Sequence, residues 1–234
     1  IWAPSYLGQT VGWADVSNPT RNNMEDVRAF VDAVIDYLGV ERVDFVGHSL
    51  GCALSMGYLR GLQADGSFDA ASRRLDQVGT VVCLGGAMYG TTNLAALSSL
   101  YGEEFYGGSD WLLELRSLDG VEDPTVFGAT ALEEMIAPSG ETLPLERPFA
   151  AVSPLDDGSR RIYYLGLWAF GDLVEGNCAT HGCTNTGGLQ GGDLNQGFDT
   201  EDTAEGVLSA ELARHANLLQ DESVFNAFLP YLDL

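Results

Sequence analysis

Residues 44–54, DFVGHSLGCAL, set Ser49 between Gly47 and Gly51. A serine hydroxyl becomes a nucleophile where a histidine takes its proton and an acid orients that histidine. The G-x-S-x-G spacing serves this chemistry because a strand turning abruptly into a helix leaves its middle residue on a strained corner, and the flanking glycines let the two segments pack closely. An elbow nucleophile takes its partners from later in the chain, in the order Ser, acid, His. His48 lies inside the elbow and is excluded as the base, which leaves His181 and His215. Asp172 follows the apolar stretch that ends at Phe170-Gly171, where an acid loop belongs. His215 follows residues 207–212, read as a last strand, whereas His181 lies nine residues beyond Asp172 with no strand between. His215 is therefore favoured over His181. The backbone N–H of Leu50, next to the nucleophile, is the candidate oxyanion donor.

These groups need elements to position them. Residues 42–46 read as a short buried strand leading into Ser49, and Leu50, Leu54, Met56 to Tyr58 and Leu59 carry apolar side chains through a helix ending near Gly61. Upstream, Val27, Phe30, Val31, Val34, Ile35 and Leu38 keep helical spacing, with Asn22 as the expected cap, Glu25 three residues on and Gly39 as the stop. Residues 78–84 form a β-branched run ending at Gly85-Gly86, residues 162–170 form another apolar strand, and residues 1–4 read as a strand end before a polar loop over 8–23. Strand, helix, strand alternation predicts an α/β fold, with a mostly parallel sheet covered by helices on both faces and catalytic groups at the strand carboxyl ends. With 234 residues and 45% hydrophobic content, residues 1–234 suffice for one core and a single domain. Residues 92–161 are too long for a plain crossover and hold helical patterns at 110–118 and 130–136. They are read as an inserted cap over the active edge, in preference to an excursion packed on the domain's side.

Composition narrows the partners. The chain has 34 acidic residues, 11 arginines, no lysine and a formal charge of -23. Such a surface repels nucleic acid and anionic membranes, and it fits solubility or salt tolerance. No apolar run is long enough to span a bilayer, no signal peptide is visible, and a chain beginning at Ile1 is read as a mature form, a processed piece or a fragment. Of four cysteines, Cys178 and Cys183 would close a short disulfide loop contributing roughly 2 kcal/mol in the chain-entropy model, which implies an oxidising, secreted setting. Zinc at these thiols with His181 would lack a fourth ligand, and Cys52 and Cys83 read as buried small hydrophobes. Residues 191–199 place oxygen groups at alternating positions but lack the closing glutamate of a calcium loop, so the stretch around Asp193 is read as a solvated acidic loop. No metal or other cofactor is expected.

The chain resembles the α/β-hydrolase lipases, in particular the small bacterial lipases of the class 2 type. The resemblance rests on the elbow at 43–51, the strand at 81–87, the acid segment at 164–172, and His215-Ala216-Asn217-Leu218-Leu219 leading into a terminal helix over 224–232. It implies Ser49 as nucleophile, Asp172 as acid, His215 as base and an ester or lipid as substrate. In that family the first strands and the loop with the second oxyanion N–H precede the equivalent of residues 1–4, so a separate or removed upstream segment is expected to complete the fold. The smallest members also lack the 92–161 insertion and the long loop over 176–206. The expected activity is carboxylic ester hydrolysis through an acyl-enzyme. Polyester depolymerisation is a variant of the same chemistry, and a non-catalytic binding protein on the same fold or an acyltransferase are the other readings of these residues.

Overall fold

The computed structural model describes residues 20–86, 88, 104, 111–112, 115, 134–136, 142–144, 162–172, 189, 192–202 and 210–232. A 3-10 turn, Thr20–Asn23, runs directly into α1, Met24–Leu38. The N-cap position falls on Asn23 and not on Asn22 as expected, and Asn23 has near-helical dihedrals and makes no side-chain cap bond, so the chain enters the helix pre-wound instead of from an extended residue. Gly39 ends α1 as expected. Strand β1, Val43–His48, leads through Ser49 into α2, Leu50–Arg60, and β2 follows as Val78–Leu84.

Strands β3, Glu134–Ile136, and β4, Thr142–Pro144, pair antiparallel as a separate two-stranded unit. The helical pattern expected over 130–136 is thus corrected in its last three residues. Trp111, Leu112 and Leu115 are helical, within the pattern expected over 110–118. Most of the 92–161 segment lies outside the described residues, as do residues 1–4, His181, Cys178 and Cys183.

Strand β5, Tyr163–Ala169, and β6, Leu194–Phe198, complete a parallel sheet of order β1-β2-β5-β6. Strand β6 replaces two expectations. The stretch around Asp193 is not a solvated loop but the entry to a strand, with Asp193 Oδ2 accepting the Tyr164 N–H at 2.9 Å. The last strand expected at 207–212 is corrected in its last three residues, and residues 207–209 lie outside the described residues. Residues from 210 onward are helical, as α3, Ala210–Asn217, because Ala, Glu, Leu and Arg are strong helix formers and β6 already occupies the next position in the sheet. Helix α4, Glu222–Phe228, closes the described chain with a 3-10 turn at Leu229–Tyr231.

Every residue of β2 is buried, as expected of a strand covered on both faces. Successive side chains of a strand point to opposite faces. Val81 and Cys83 join a cluster with Met24, Val27 and Val31 of α1 and Cys52, Met56 and Leu59 of α2. Val82 and Leu84 join the other cluster, with Leu165, Leu167, Leu218, Val224 and Phe228. Each fully buried aliphatic side chain of this kind contributes about 1.5–3 kcal/mol over leaving it exposed. The helices before and after β1 therefore cover one face, and the chain around α4 covers the other. Cys52 and Cys83 are fully buried, as expected.

Candidate active site

Register brings the site residues to one edge. His48, Leu84, Leu167 and Gln196 stand in a row across the sheet. The chain continues this ladder past the row, with the Ser49 N–H donating to the Leu84 carbonyl at 2.9 Å and the Gly85 N–H donating to the Leu167 carbonyl at 2.8 Å. The carboxyl ends of β1, β2 and β5 thus meet at Ser49, Gly85 and the turn carrying Asp172.

Ser49 has φ 54° and ψ −122°, the only non-glycine positive φ among the described residues. Such a conformation costs of order 1–3 kcal/mol and persists only where the surroundings impose it. The surroundings do so here because α2 begins immediately. A Cβ on Gly47 would stand 2.6 Å from the backbone carbon and oxygen of Gly51, so β1 and the first turn of α2 approach closer than any side chain allows. Leu50 is the first residue of α2, so its N–H precedes the intrahelical ladder.

Asp172 is fully buried and lies just past β5; His215 is buried on α3. The His215 Nδ1–H donates to Asp172 Oδ2 at 2.6 Å, which leaves Nε2 of the neutral ring as the acceptor. The structure therefore brings the expected acid and base into contact, and the helix that carries His215 is held at several points. Thr200 Oγ1 donates to the Arg214 carbonyl at 3.0 Å, Arg214 Nη1 donates to the Phe170 carbonyl at 2.8 Å, and Asn217 Nδ2 donates to the Glu201 carbonyl at 2.8 Å. Gly85, with φ 59°, lies directly against His215: a Cβ there would stand 3.1 Å from His215 Cε1 and Nδ1.

Sequence reasoning left out Gly85, Thr200, Arg214 and any role for His48 at this site. The glycine pair after a β-branched strand was a visible signal for Gly85, but Thr200 and Arg214 act through backbone carbonyls that no motif marks. His48 Nε2 lies 2.9 Å from the His215 carbonyl, and the two rings pack with centroids 4.5 Å apart at 44°. A carbonyl only accepts, so Nε2 of His48 carries the proton and donates. Burial, and then the neighbouring His215, push the His48 imidazole down from 6.5 to about 4, against the weaker upward pull of its bond to the His215 carbonyl and of Asp172. Among the described residues, no group of three or more His, Cys, Asp or Glu side chains is placed to hold a metal ion, and no helix is long and apolar enough to cross a membrane.

Comparison with curated proteins gives no significant match. The family profile of the class 2 lipases matches residues 2–127, a span that includes the elbow and β2 and stops short of Asp172 and His215. That match covers more than half of the 234 residues, and with a parallel α/β sheet and a strained serine elbow inside it, the chain belongs to the class 2 lipase family, a family of lipolytic hydrolases.

Proposed function

We propose that the chain hydrolyses carboxylic esters through an acyl-enzyme on Ser49, with His215 as base and Asp172 as the acid that orients it. The observation that carries this reading is the 2.6 Å bond between Asp172 and His215, made at the same sheet edge as the Ser49 elbow although the family match ends before either residue. In the proposed reaction Ser49 Oγ attacks the ester carbonyl carbon and passes its proton to His215 Nε2. The Asp172 carboxylate stabilises the imidazolium, and the Leu50 N–H donates to the oxyanion of the tetrahedral intermediate. The C–O bond to the alcohol then breaks, the alcohol leaves with the proton from His215, and water repeats the sequence to release the acid and regenerate Ser49.

The test combines labelling with kinetics. A serine-reactive fluorophosphonate should add one adduct, on Ser49, by intact mass and peptide mapping. His215→Ala should lower kcat for a p-nitrophenyl ester by about 10³-fold or more, while His181→Ala retains most activity. No adduct on Ser49 would leave a non-catalytic binding protein as the better reading, and an inactive His181→Ala beside an active His215→Ala would move the base. Secretion belongs to the same proposal. Non-reducing peptide mapping of the isolated protein should join Cys178 to Cys183, and free thiols at either position would remove the sequence argument for an oxidising compartment.

A further inference from the structure

Asp172 holds His215 by a single bond at Nδ1, and one hydrogen bond leaves an imidazole free to rock about the bond axis. The bonds made by Thr200, Arg214 and Asn217 tie α3 to the neighbouring chain and do not touch the ring. His48 does both. It sits at the end of β1, one residue before the nucleophile, where its Nε2–H reaches the His215 carbonyl at 2.9 Å and its ring packs on the His215 ring.

We infer that His48 is a positioning residue for the base, tying the His215 backbone to the nucleophile's own strand and holding the imidazole in the orientation that proton transfer with Ser49 requires. The inference rests on the Ser49-His215-Asp172 reading above. Its physical content is a short mechanical link: β1 carries both His48 and the corner that presents Ser49, so any shift of that corner moves the base with it. A relative displacement of about 1 Å between reacting groups costs of order a hundredfold in rate, which is the size of effect such a link prevents. Electrostatics suits the role as well. With its N–H committed to a carbonyl and its ring uncharged at neutral pH, His48 adds no positive charge beside the imidazolium that forms on His215.

Two variants separate the parts of this role. His48→Phe keeps a flat ring and loses the donor, whereas His48→Gln keeps an N–H at a similar reach and loses the ring. Hydrolysis of a p-nitrophenyl ester, thermal melting and the low-field proton NMR resonance of the His215 Nδ1–H are measured on the full chain and both variants. The expected result is a kcat lowered about 10- to 100-fold in His48→Phe with KM changed less than about twofold, a shifted or broadened resonance, and partial recovery of both readouts in His48→Gln. A His48→Phe protein with wild-type kcat and an unmoved resonance overturns the inference. So does a loss of kcat that merely tracks the unfolded fraction while the resonance of the folded fraction stays in place. If the wild type is active and labelled at Ser49 in those cases, only the role of His48 falls. An inactive, unlabelled wild type overturns the Ser49-His215-Asp172 reading and this inference together.

Discussion

Ser49 stores strain that a different residue would release. Its φ of 54° is unfavourable for any side chain with a Cβ and ordinary for glycine, so Ser49→Ala removes the proposed nucleophile and keeps the strain, while Ser49→Gly removes both. Chemical denaturation should therefore find Ser49→Gly more stable than Ser49→Ala by about 1 kcal/mol, after the larger unfolded-state entropy of glycine is allowed for. Equal stabilities would mean that the corner is relaxed. At His48 the expected effect is on pH dependence. Its imidazole is held at about 4 when folded against 6.5 otherwise, so the unfolded chain takes up more protons between those values. The corresponding stability is present above about pH 6.5 and is lost as the pH falls toward 4. The groups acting on it are His215 from α3 and Asp172 from the end of β5. Urea midpoints measured from pH 7 to pH 4 should drop less steeply in His48→Gln than in the wild type, and parallel curves would contradict the shift.

Element by element, the segments that were legible have one strong period and a clear stop. Strand β2 coincides with its β-branched run, and α1 and α2 end at the glycines marked for that purpose. The segments that were misread are short and mixed. Residues 194–198 hold a glycine and two polar side chains, and only parallel pairing with β5 makes them a strand; residues 207–212 are apolar at both ends, yet the chain is helical from 210. Pairing energy and helix propensity compete within a few residues in such stretches, and neighbours distant in sequence decide the outcome. Close packing between elements sets a further prediction at Gly85, where a side chain would meet both Leu218 and the His215 ring in a backbone conformation that disfavours any Cβ. Gly85→Ala should cost about 1–3 kcal/mol in stability and lower kcat at least about tenfold, measured by denaturation and steady-state hydrolysis. An active, stable Gly85→Ala would show that the ring of His215 tolerates displacement.

For the whole molecule, the charge of -23 is a standing source of self-repulsion in the compact state. Salt shortens the reach of that repulsion, to a Debye length of about 8 Å at 0.15 M and about 3 Å at 1 M, so the melting temperature should rise with sodium chloride across that range. A flat or falling curve would mean that specific ion pairs outweigh the general repulsion. The amino-acid sequence by itself determined the α/β class and the sharp corner at Ser49, because these depend on local periodicity and on glycines at a corner, and residue types along one chain suggested the proposed order of nucleophile, acid and base. Tertiary structure alone decided what each of these groups touches. It seated Asp172 against His215 across 43 residues of sequence, laid His48 on the ring of His215 across 167, and placed Gly85 where a Cβ would stand 3.1 Å from the His215 ring. The reason is physical: a hydrogen bond or a ring contact depends on distances of a few ångströms, and those are set by the register of β1, β2, β5 and β6, which no stretch of a single strand encodes.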